Sequence, residues 1–226
     1  MMFRKMLLVM LLLCACSCAC ADTTAEEIIT DAVSVVREMS SQSDAGDAAE
    51  ILRGSYAVAV VPSMVKAGIL LGGTYGEGLV LVHENGKWYG PSFYNLGGAS
   101  FGLQIGAQKV SLLLAVINKR GVSAFMSSKT KLGGDVSVAA GPAGRRAEAA
   151  TDAKAKASIY SYSMSKGLFA GASLEGSVIS ISVKRNQEYW GGKVSAEEAL
   201  KKPADDKRVM PLIKALEQLM TARKEK

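Results

Sequence analysis

Apolar residues return every three to four positions between Ala25 and Met39: Ala25, Ile28, Ile29, Ala32, Val33, Val36 and Met39. That spacing gathers them into one stripe of an α-helix. Thr23 and Thr24 each stand three residues before a glutamate, Glu26 and Glu27, so two overlapping capping boxes mark the helix start. The opposite face carries Glu26, Glu27, Asp31 and Glu38 against Arg37. This is the wrong sign for an anionic bilayer, and the stripe is expected to dock on the protein itself. The polar stretch from Ser40 to Asp47 follows as a linker.

Beyond it the pattern becomes that of strands. Tyr56 to Val61 is a continuous apolar run stopping at Pro62, as expected of a strand covered on both faces. Glycine-punctuated strand sequence runs from Gly68 to Val82. Asn85-Gly86 predicts a type I′ hairpin, which needs positive φ at both central positions, and Lys87 to Tyr89 begins the return strand. From Phe101 to Lys109 alternation is strict: Phe101, Leu103, Ile105 and Ala107 share one face, expected to be core. Gly102, Gln104, Gly106 and Gln108 share the other, where a second backbone or a ligand can come close.

Further strands are expected over 111–117, 133–140, 158–164 and 168–183. In the last, Leu168, Ala170, Ala172 and Leu174 read as inward and give way to Ile179, Ile181 and Val183, which places a bulge or turn near Glu175-Gly176. Ser195 with Glu198 caps a short helix ending before Pro203, and Pro211 opens a last one with the stripe Leu212, Ile213, Leu216, Leu219 and Met220. The predicted fold class is α+β: an antiparallel, strongly bent or barrel-like sheet of seven or more strands with flanking N- and C-terminal helices. Residues 22–44 form the N-terminal helix and linker, 45–192 the main domain and 193–226 the helical tail.

Composition changes this picture little. A chain of 226 residues, 49% hydrophobic and 21% charged, can bury one core without staples. Twenty-three glycines against five prolines agree with many tight turns and close backbone contacts, and 6% aromatic residues argue against an aromatic-girdled membrane barrel.

The first 21 residues do change it. Arg4 and Lys5 precede the apolar run Met6 to Leu13, followed by Cys14, Cys16, Cys18 and Cys20 among small residues. This reads as a secretory signal peptide, too short to span a bilayer. Cleavage after Ala19-Cys20-Ala21 starts the mature chain at Asp22. Alternatively Leu13-Cys14-Ala15-Cys16 acts as a lipobox and leaves a lipidated Cys16 as N-terminus. Periplasmic or secreted placement, with or without a lipid anchor, is the expectation. All four cysteines lie here, so the body of the chain has no thiol chemistry and no disulfide framework.

Several motifs invite a catalytic reading, and their contexts refuse it. Gly98-Ala99-Ser100-Phe101-Gly102 matches the nucleophile elbow of serine hydrolases, but strand sequence follows where the elbow needs a helix. The only histidine, His83, precedes Ser100 instead of following it. A hydrolase is therefore a distant alternative. His83 is expected to face solvent at a strand end, and with no second His or Cys beside it no metal site is supported. Gly73-Thr74-Tyr75-Gly76-Glu77-Gly78 lies between strands and reads as turn glycine, not as a dinucleotide fingerprint. No cofactor is called for.

Charge is concentrated. Lys129, Lys131, Arg145, Arg146, Lys154, Lys156 and Lys166 face only Asp135, Glu148 and Asp152 over the same stretch. Within it, Gly141-Pro142-Ala143-Gly144-Arg145-Arg146 is a glycine-rich turn bearing two guanidinium forks, suited to a phosphate or carboxylate as well as to plain solvation. Outside the cytoplasm such a segment favours anionic headgroups or acidic glycans over nucleic acid.

These blocks, taken in order, resemble one known family. Lys66-Ala67-Gly68, Tyr75-Gly76-Glu77-Gly78, the run from Ala99 to Gln108, Ala139-Ala140-Gly141-Pro142 with Gly144-Arg145 and Ala147-Glu148-Ala149, Tyr160-Ser161-Tyr162-Ser163, and the run from Lys166 to Gly176 are similar to the SYLF family, over about residues 45–192. The resemblance implies a non-enzymatic domain of antiparallel β structure with flanking helices. In eukaryotic members it implies binding to phosphoinositide membranes and actin filaments. For an exported chain, charge and motif position together give the expectation of anionic membrane lipid as partner, with Lys66, Arg145, Arg146, Lys154, Lys156 and Lys166 as contacts. An acidic envelope protein or glycan is the alternative partner.

Overall fold

The computed structural model describes residues 23–42, 45–142, 157–165 and 168–223, with backbone only for 67–71 and 100–107. The elements are α1 (Ala25–Ser40), α2 (Ala45–Arg53), β1 (Ala57–Glu84), β2 (Lys87–Val116), α3 (Lys119–Met126), β3 (Lys129–Lys131), β4 (Val138–Ala140), β5 (Ile159–Ser165), β6 (Leu168–Gly171), β7 (Val178–Ile181), α4 (Val183–Trp190), α5 (Ala196–Ala199) and α6 (Met210–Thr221). The strands form one sheet of order β3-β7-β2-β5-β4, with β1 paired to β2 and β6 to β5. All pairings are antiparallel except β4 with β5, which bears out the α+β class.

The centre of the fold is the hairpin of β1 and β2, 28 and 30 residues long. Asn85 (φ 52°) and Gly86 (φ 72°) make its turn with the positive φ pair that the dipeptide predicts. A straight strand of this length reaches about 90 Å, whereas a compact domain of this size has a radius of gyration of roughly 16 Å. The ribbon must therefore fold back on itself. Three register breaks bend it, at Val61/Met64, Gly68/Leu70 and Val80/Val82. At the fold-back, residues 76–78 cross over residues 60–64. A Cβ on Gly76 would lie 2.7 Å from Val61 Cγ1 and 2.9 Å from the Ser63 carbonyl, and one on Gly78 would enter the Val60 carbonyl oxygen. These glycines are crossing points within a strand, not the turn glycines that the sequence suggested.

Pro62 likewise does not end its strand. It sits in the first register break, where Pro62 and Ser63 together oppose Ser111, and Ser111 Oγ donates to the Pro62 carbonyl at 2.8 Å. Its missing N–H is not needed by the ladder there. The run before it is covered on both faces as expected: Val58 and Val60 join the core beneath the helices, and Ala57, Ala59 and Val61 join a second core on the other face.

Helices α1, α2 and α6 cover the first face. Every position of the α1 stripe is buried, and the Thr24–Glu27 capping box closes both ways. The α6 stripe is buried as well. The expected linker is shorter than predicted, because Ala45, Gly46 and Asp47 already belong to α2 and are buried. Two further helices were not predicted. α3 is capped by Asn118, whose Oδ1 accepts from Gly121 N–H at 2.9 Å. α4 begins at Val183, so that residue is 61% exposed and not strand core as its parity had suggested. Buried Asn186 in α4 takes the place of a strand, its side chain accepting from Phe93 N–H at 3.0 Å and donating to the Phe93 carbonyl at 2.9 Å. It continues the β2 ladder where β7 stops.

Two charged knots fasten the helices to the sheet. Buried Arg185 lies 3.3 Å from both Glu77 of β1 and Glu188 of α4, and Glu188 accepts from the Ala25 N–H that opens α1. Arg208 donates to Asp206 at 2.7 Å and to the Tyr189 carbonyl at 3.0 Å, lies over the Tyr189 ring at 4.0 Å and meets Glu26 at 3.6 Å. Its hydrogen bond holds the Asp206 carboxyl below the usual aspartate range. At the far margin of the sheet, β3 is closed by Asp135: its carboxylate accepts from Lys131 N–H at 2.7 Å, and Gly134 and Asp135 N–H both donate to the Lys131 carbonyl.

Candidate functional site

One end of the sheet is built differently from the rest. Val65 pairs with Lys109 and Lys66 with Gln108 across β1 and β2. Gln108 Nε2 donates to Ser165 Oγ at 2.7 Å, which ties this edge to the end of β5, and Ser165 pairs with Leu168 at the start of β6. The result is a rim where β5 and β6 end beside the continuing β1–β2 ribbon, with Lys66, Gln108, Ser165 and Leu168 on one face of the sheet and Val65 and Lys109 on the other. Immediately inside it the chain is buried: Met64, Val110, Met164 and Phe169 are core residues. At the rim Val65 is 38% and Leu168 75% exposed.

Leu168 is a correction to the sequence reading, which turned Leu168 and Ala170 inward. β6 faces the opposite way: Phe169 is buried and both neighbours are exposed. Phe169 stacks flat on Tyr162, with ring centroids 5.3 Å apart and planes 6° from parallel. An aromatic ring buries more area than a leucine side chain and gains the stacking contact besides, so it claims the inward side. Ile179 of β7 is buried as predicted.

Tyr162 itself rests on Gly141. A Cβ at that position would enter the phenol ring, and one on Gly171 would meet the Gly141 carbonyl. Two of the glycines in the recognised blocks thus bring the ends of β4 and β6 together over one tyrosine. Because β4 runs parallel to β5, and β5 ends at the rim, the chain passes Gly141 and Pro142 heading toward the rim. Burial raises the Tyr162 hydroxyl well above the usual phenol range, with the charge of Asp47 adding to it.

Lys66 and Lys109 make no ion pair among the described residues. The structure therefore places one predicted residue, half-buried Lys66, at the rim, and sets near it Lys109 and Leu168, which the sequence reading did not name. The missing signal was the β6 parity and the pairing of residue 66 with 108. Arg145, Arg146, Lys154, Lys156, Lys166 and Cys16 lie outside the described residues, so their expected roles stand as expectations. Lys129 and Lys131 are exposed on β3.

Ser100 lies inside β2, with strand on both sides and its partner Gly72 opposite, so the strand-to-helix turn of an elbow is not there. His83 is half-buried and stacks on its cross-strand partner Trp88, ring centroids 4.4 Å apart. Among the described residues no group of His, Cys, Asp or Glu is arranged to hold a metal ion, and no helix is long and apolar enough to cross a membrane.

Residues 97–219, more than half of the chain, match the family model Ysc84, "Las17-binding protein actin regulator". The chain belongs to the Ysc84 (SYLF) family. The resemblance read from the glycine-rich blocks is thereby established. Similar proteins include an SH3 domain-containing protein of Schizosaccharomyces pombe, 39% identical over 145 residues, covering 62% of this chain and 34% of that protein. LAS seventeen-binding protein 3 of Saccharomyces cerevisiae is 36% identical over 155 residues, 67% of this chain and 34% of that one. An SH3 domain-containing YSC84-like protein 1 of Xenopus laevis is 37% identical over 133 residues, 58% and 40% respectively. The Ysc84-family region is thus one part of longer relatives, and the chain spans about a third of the length of the first two.

Proposed function

We propose that this chain is a non-enzymatic membrane-binding protein that meets anionic lipid edge-on through the rim, with Leu168 and Lys66 entering from one face of the sheet and Val65 and Lys109 from the other. The observation that carries this reading is a leucine 75% exposed at a sheet end, on an edge with two lysines that pair with no described carboxylate. A lysine near an anionic leaflet contributes about 1 kcal/mol, and burying a leucine side chain roughly 2 kcal/mol. Each is weak alone, and the combination gives a reversible contact that needs either a second attachment or further charge. Arg145, Arg146, Lys154, Lys156 and Lys166 are the proposed source of that charge. Residues 1–21 are proposed to export the chain, with lipidated Cys16 as a second attachment in the form that keeps it.

Flotation with phosphatidylcholine vesicles and with vesicles containing phosphatidylglycerol, at low and high salt, tests the reading. Binding is expected to need the anionic lipid and to fall with salt. Leu168→Asp is expected to weaken it at least tenfold, and Lys66→Gln with Lys109→Gln by a similar factor. Equal binding to neutral vesicles, or rim variants that bind like the parent chain, would overturn it. Arg145→Ala with Arg146→Ala tests the basic segment, and intact mass of the native N-terminus decides between Cys16 and Asp22. Any esterase signal that survives Ser100→Ala is independent of that serine and excludes it as nucleophile.

A second reading is favoured by the family description: the same rim meets an acidic protein partner. Relatives are named for binding Las17, and the chain spans only about a third of the first of them. Under this reading rim variants lose a protein partner while vesicle binding is absent from the start.

A further inference from the structure

Both cores of the fold stop short of one stretch of the β1–β2 ribbon. On β1 no described residue between Met64 and Gly76 is buried, and on β2 none between Leu96 and Val110. β7 leaves β2 at Gly97 and β5 joins it at Ser111, so over the stretch between them β1 and β2 pair only with each other among the described residues. This stretch holds the fold-back of the ribbon, past the rim along both strands. Gly68 pairs with Gly106 but Leu70 with Gly102, so residues 103–105 oppose Ile69 alone.

The sequence of the bend makes its position informative. Between Lys66 and Glu77, and between Lys87 and Lys109, the chain has no charged residue. Ile69, Leu70 and Leu71 on one strand run beside the stretch that holds Phe101, Leu103 and Ile105 on the other. A two-stranded ribbon by itself is marginal in water, and this one gathers large apolar residues where no described neighbour belongs to a core.

What flanks the bend decides what covers it. Lys66 and Lys109 stand where the uncharged stretch begins on each strand, one pair apart in register. On the return arm the first charge is Glu77, held by Arg185 at 3.3 Å, and before it stands Tyr75, 55% exposed. Lys66 and Tyr75 lie on opposite sides of Leu70, at the register break, each roughly 13–17 Å of strand away from it. Cations and a phenol at the base of an apolar tip match the order of a lipid leaflet: lysine at the phosphates, tyrosine at the interface, apolar residues beneath. A second copy docked two-fold on the same end would set Lys66 and Lys109 against their own images, like charge against like. An acidic protein would use the lysines and leave the uncharged bend unmatched.

We infer that the bend of the β1–β2 ribbon, residues 67–74 with 98–107, enters the acyl region of an anionic leaflet while Lys66 and Lys109 stay at its phosphates. This rests on the membrane reading of the rim and adds to it the part of the chain that passes below the headgroups. The full chain, parent and Phe101→Trp, is mixed with vesicles of phosphatidylcholine and phosphatidylglycerol, with and without bromine on the acyl chains, and tryptophan emission is recorded. The native Trp88 and Trp190 both donate their indole N–H within the protein, and Trp88 stands beside the turn at the other end of the ribbon, so the parent emission is expected to stay put. Phe101→Trp is expected to add emission that shifts to the blue on the vesicles and falls roughly twofold or more under acyl bromine. Leu70→Asp and Leu103→Asp are each expected to weaken vesicle binding roughly tenfold or more, with an unchanged thermal midpoint. Should either lower the midpoint, the quenching of Phe101→Trp decides alone. If the parent chain binds anionic vesicles while the added emission is neither shifted nor quenched, the inference is overturned and the rim reading stands. If the parent chain binds no anionic vesicles, both fall. Added emission that is already blue without vesicles, and more so as protein concentration rises, places a second copy on the bend and overturns the inference as well.

Discussion

The fold-back of the long hairpin lies within β1, the rim beside it joins β1 and β2 to β5 and β6, and the two regions follow opposite rules. At the crossing, Gly76 and Gly78 have no space beyond their own backbone, because residues 60–64 of the same strand occupy it. At the rim, one residue past Met64, side chains project into solvent and one of them is leucine. The first region is fixed by what cannot be added, and the second is free of packing demands on what is there. Glycine at the crossing is therefore structural, while Leu168 at the rim is mostly exposed.

That contrast can be broken in a definite order. Gly78→Ala should have the largest effect, because the added methyl meets a carbonyl on a strand that cannot retreat; a loss of about 3 kcal/mol is expected by urea denaturation. An unchanged midpoint would mean that the two halves of β1 do not cross as described. Asn186→Ala comes next: it removes the side-chain acceptor of the buried Phe93 N–H and leaves the Phe93 carbonyl only the Ser182 N–H, and a cost of about 2 kcal/mol is expected. Gly141→Ala should cost a similar or smaller amount, on the order of 1–3 kcal/mol, since the Tyr162 ring it enters has some freedom to tilt.

Smaller effects sharpen the rim side. Leu168→Ala should change stability by less than about 0.5 kcal/mol, as an exposed substitution does, while lowering vesicle affinity. A large loss of stability would make Leu168 a packing residue and remove the contrast. Tyr94→Phe is expected to act in the other direction. The Tyr94 hydroxyl is buried with no hydrogen-bond partner among the described residues, so its removal should be neutral or stabilise the protein by up to about 1 kcal/mol. Acid should act at a third place. The Asp206 carboxyl is depressed in the folded state, so its contribution is present above the ordinary aspartate pKa and is lost as pH falls through the lower folded value. The protein with Asp206→Asn should lose less stability over that acid range than the parent chain.

The sequence was most legible where one local rule decides. The α1 stripe with its Thr24–Glu27 box, the Asn85-Gly86 turn, the Ser195–Glu198 box and the α6 stripe are each set by a few residues in contact with their own neighbours. The fold class and the family followed from these and from the glycine blocks. Legibility ended where distant residues compete. Pro62 reads as a stop until its register break is known, and Gly76-Glu77-Gly78 reads as a turn until residues 60–64 are laid across it. The β6 parity was misread by one residue because Phe169, stacked on Tyr162, takes the inward side of the alternation in place of Leu168 and Ala170. Of the candidate site, Lys66 was found through its motif, whereas Lys109 and Leu168 join it only through pairings between β1, β2, β5 and β6.

Asp135 has a consequence for the life of this protein among its own copies. A bare β-strand margin invites a neighbouring molecule to add its own strand, and repeated addition makes fibres. By occupying the outward amide of Lys131 with a carboxylate, and its carbonyl with the tight turn behind it, Asp135 leaves an incoming chain little to grip on that side. At that margin the outward peptide groups of Lys131 are thus already satisfied within the chain.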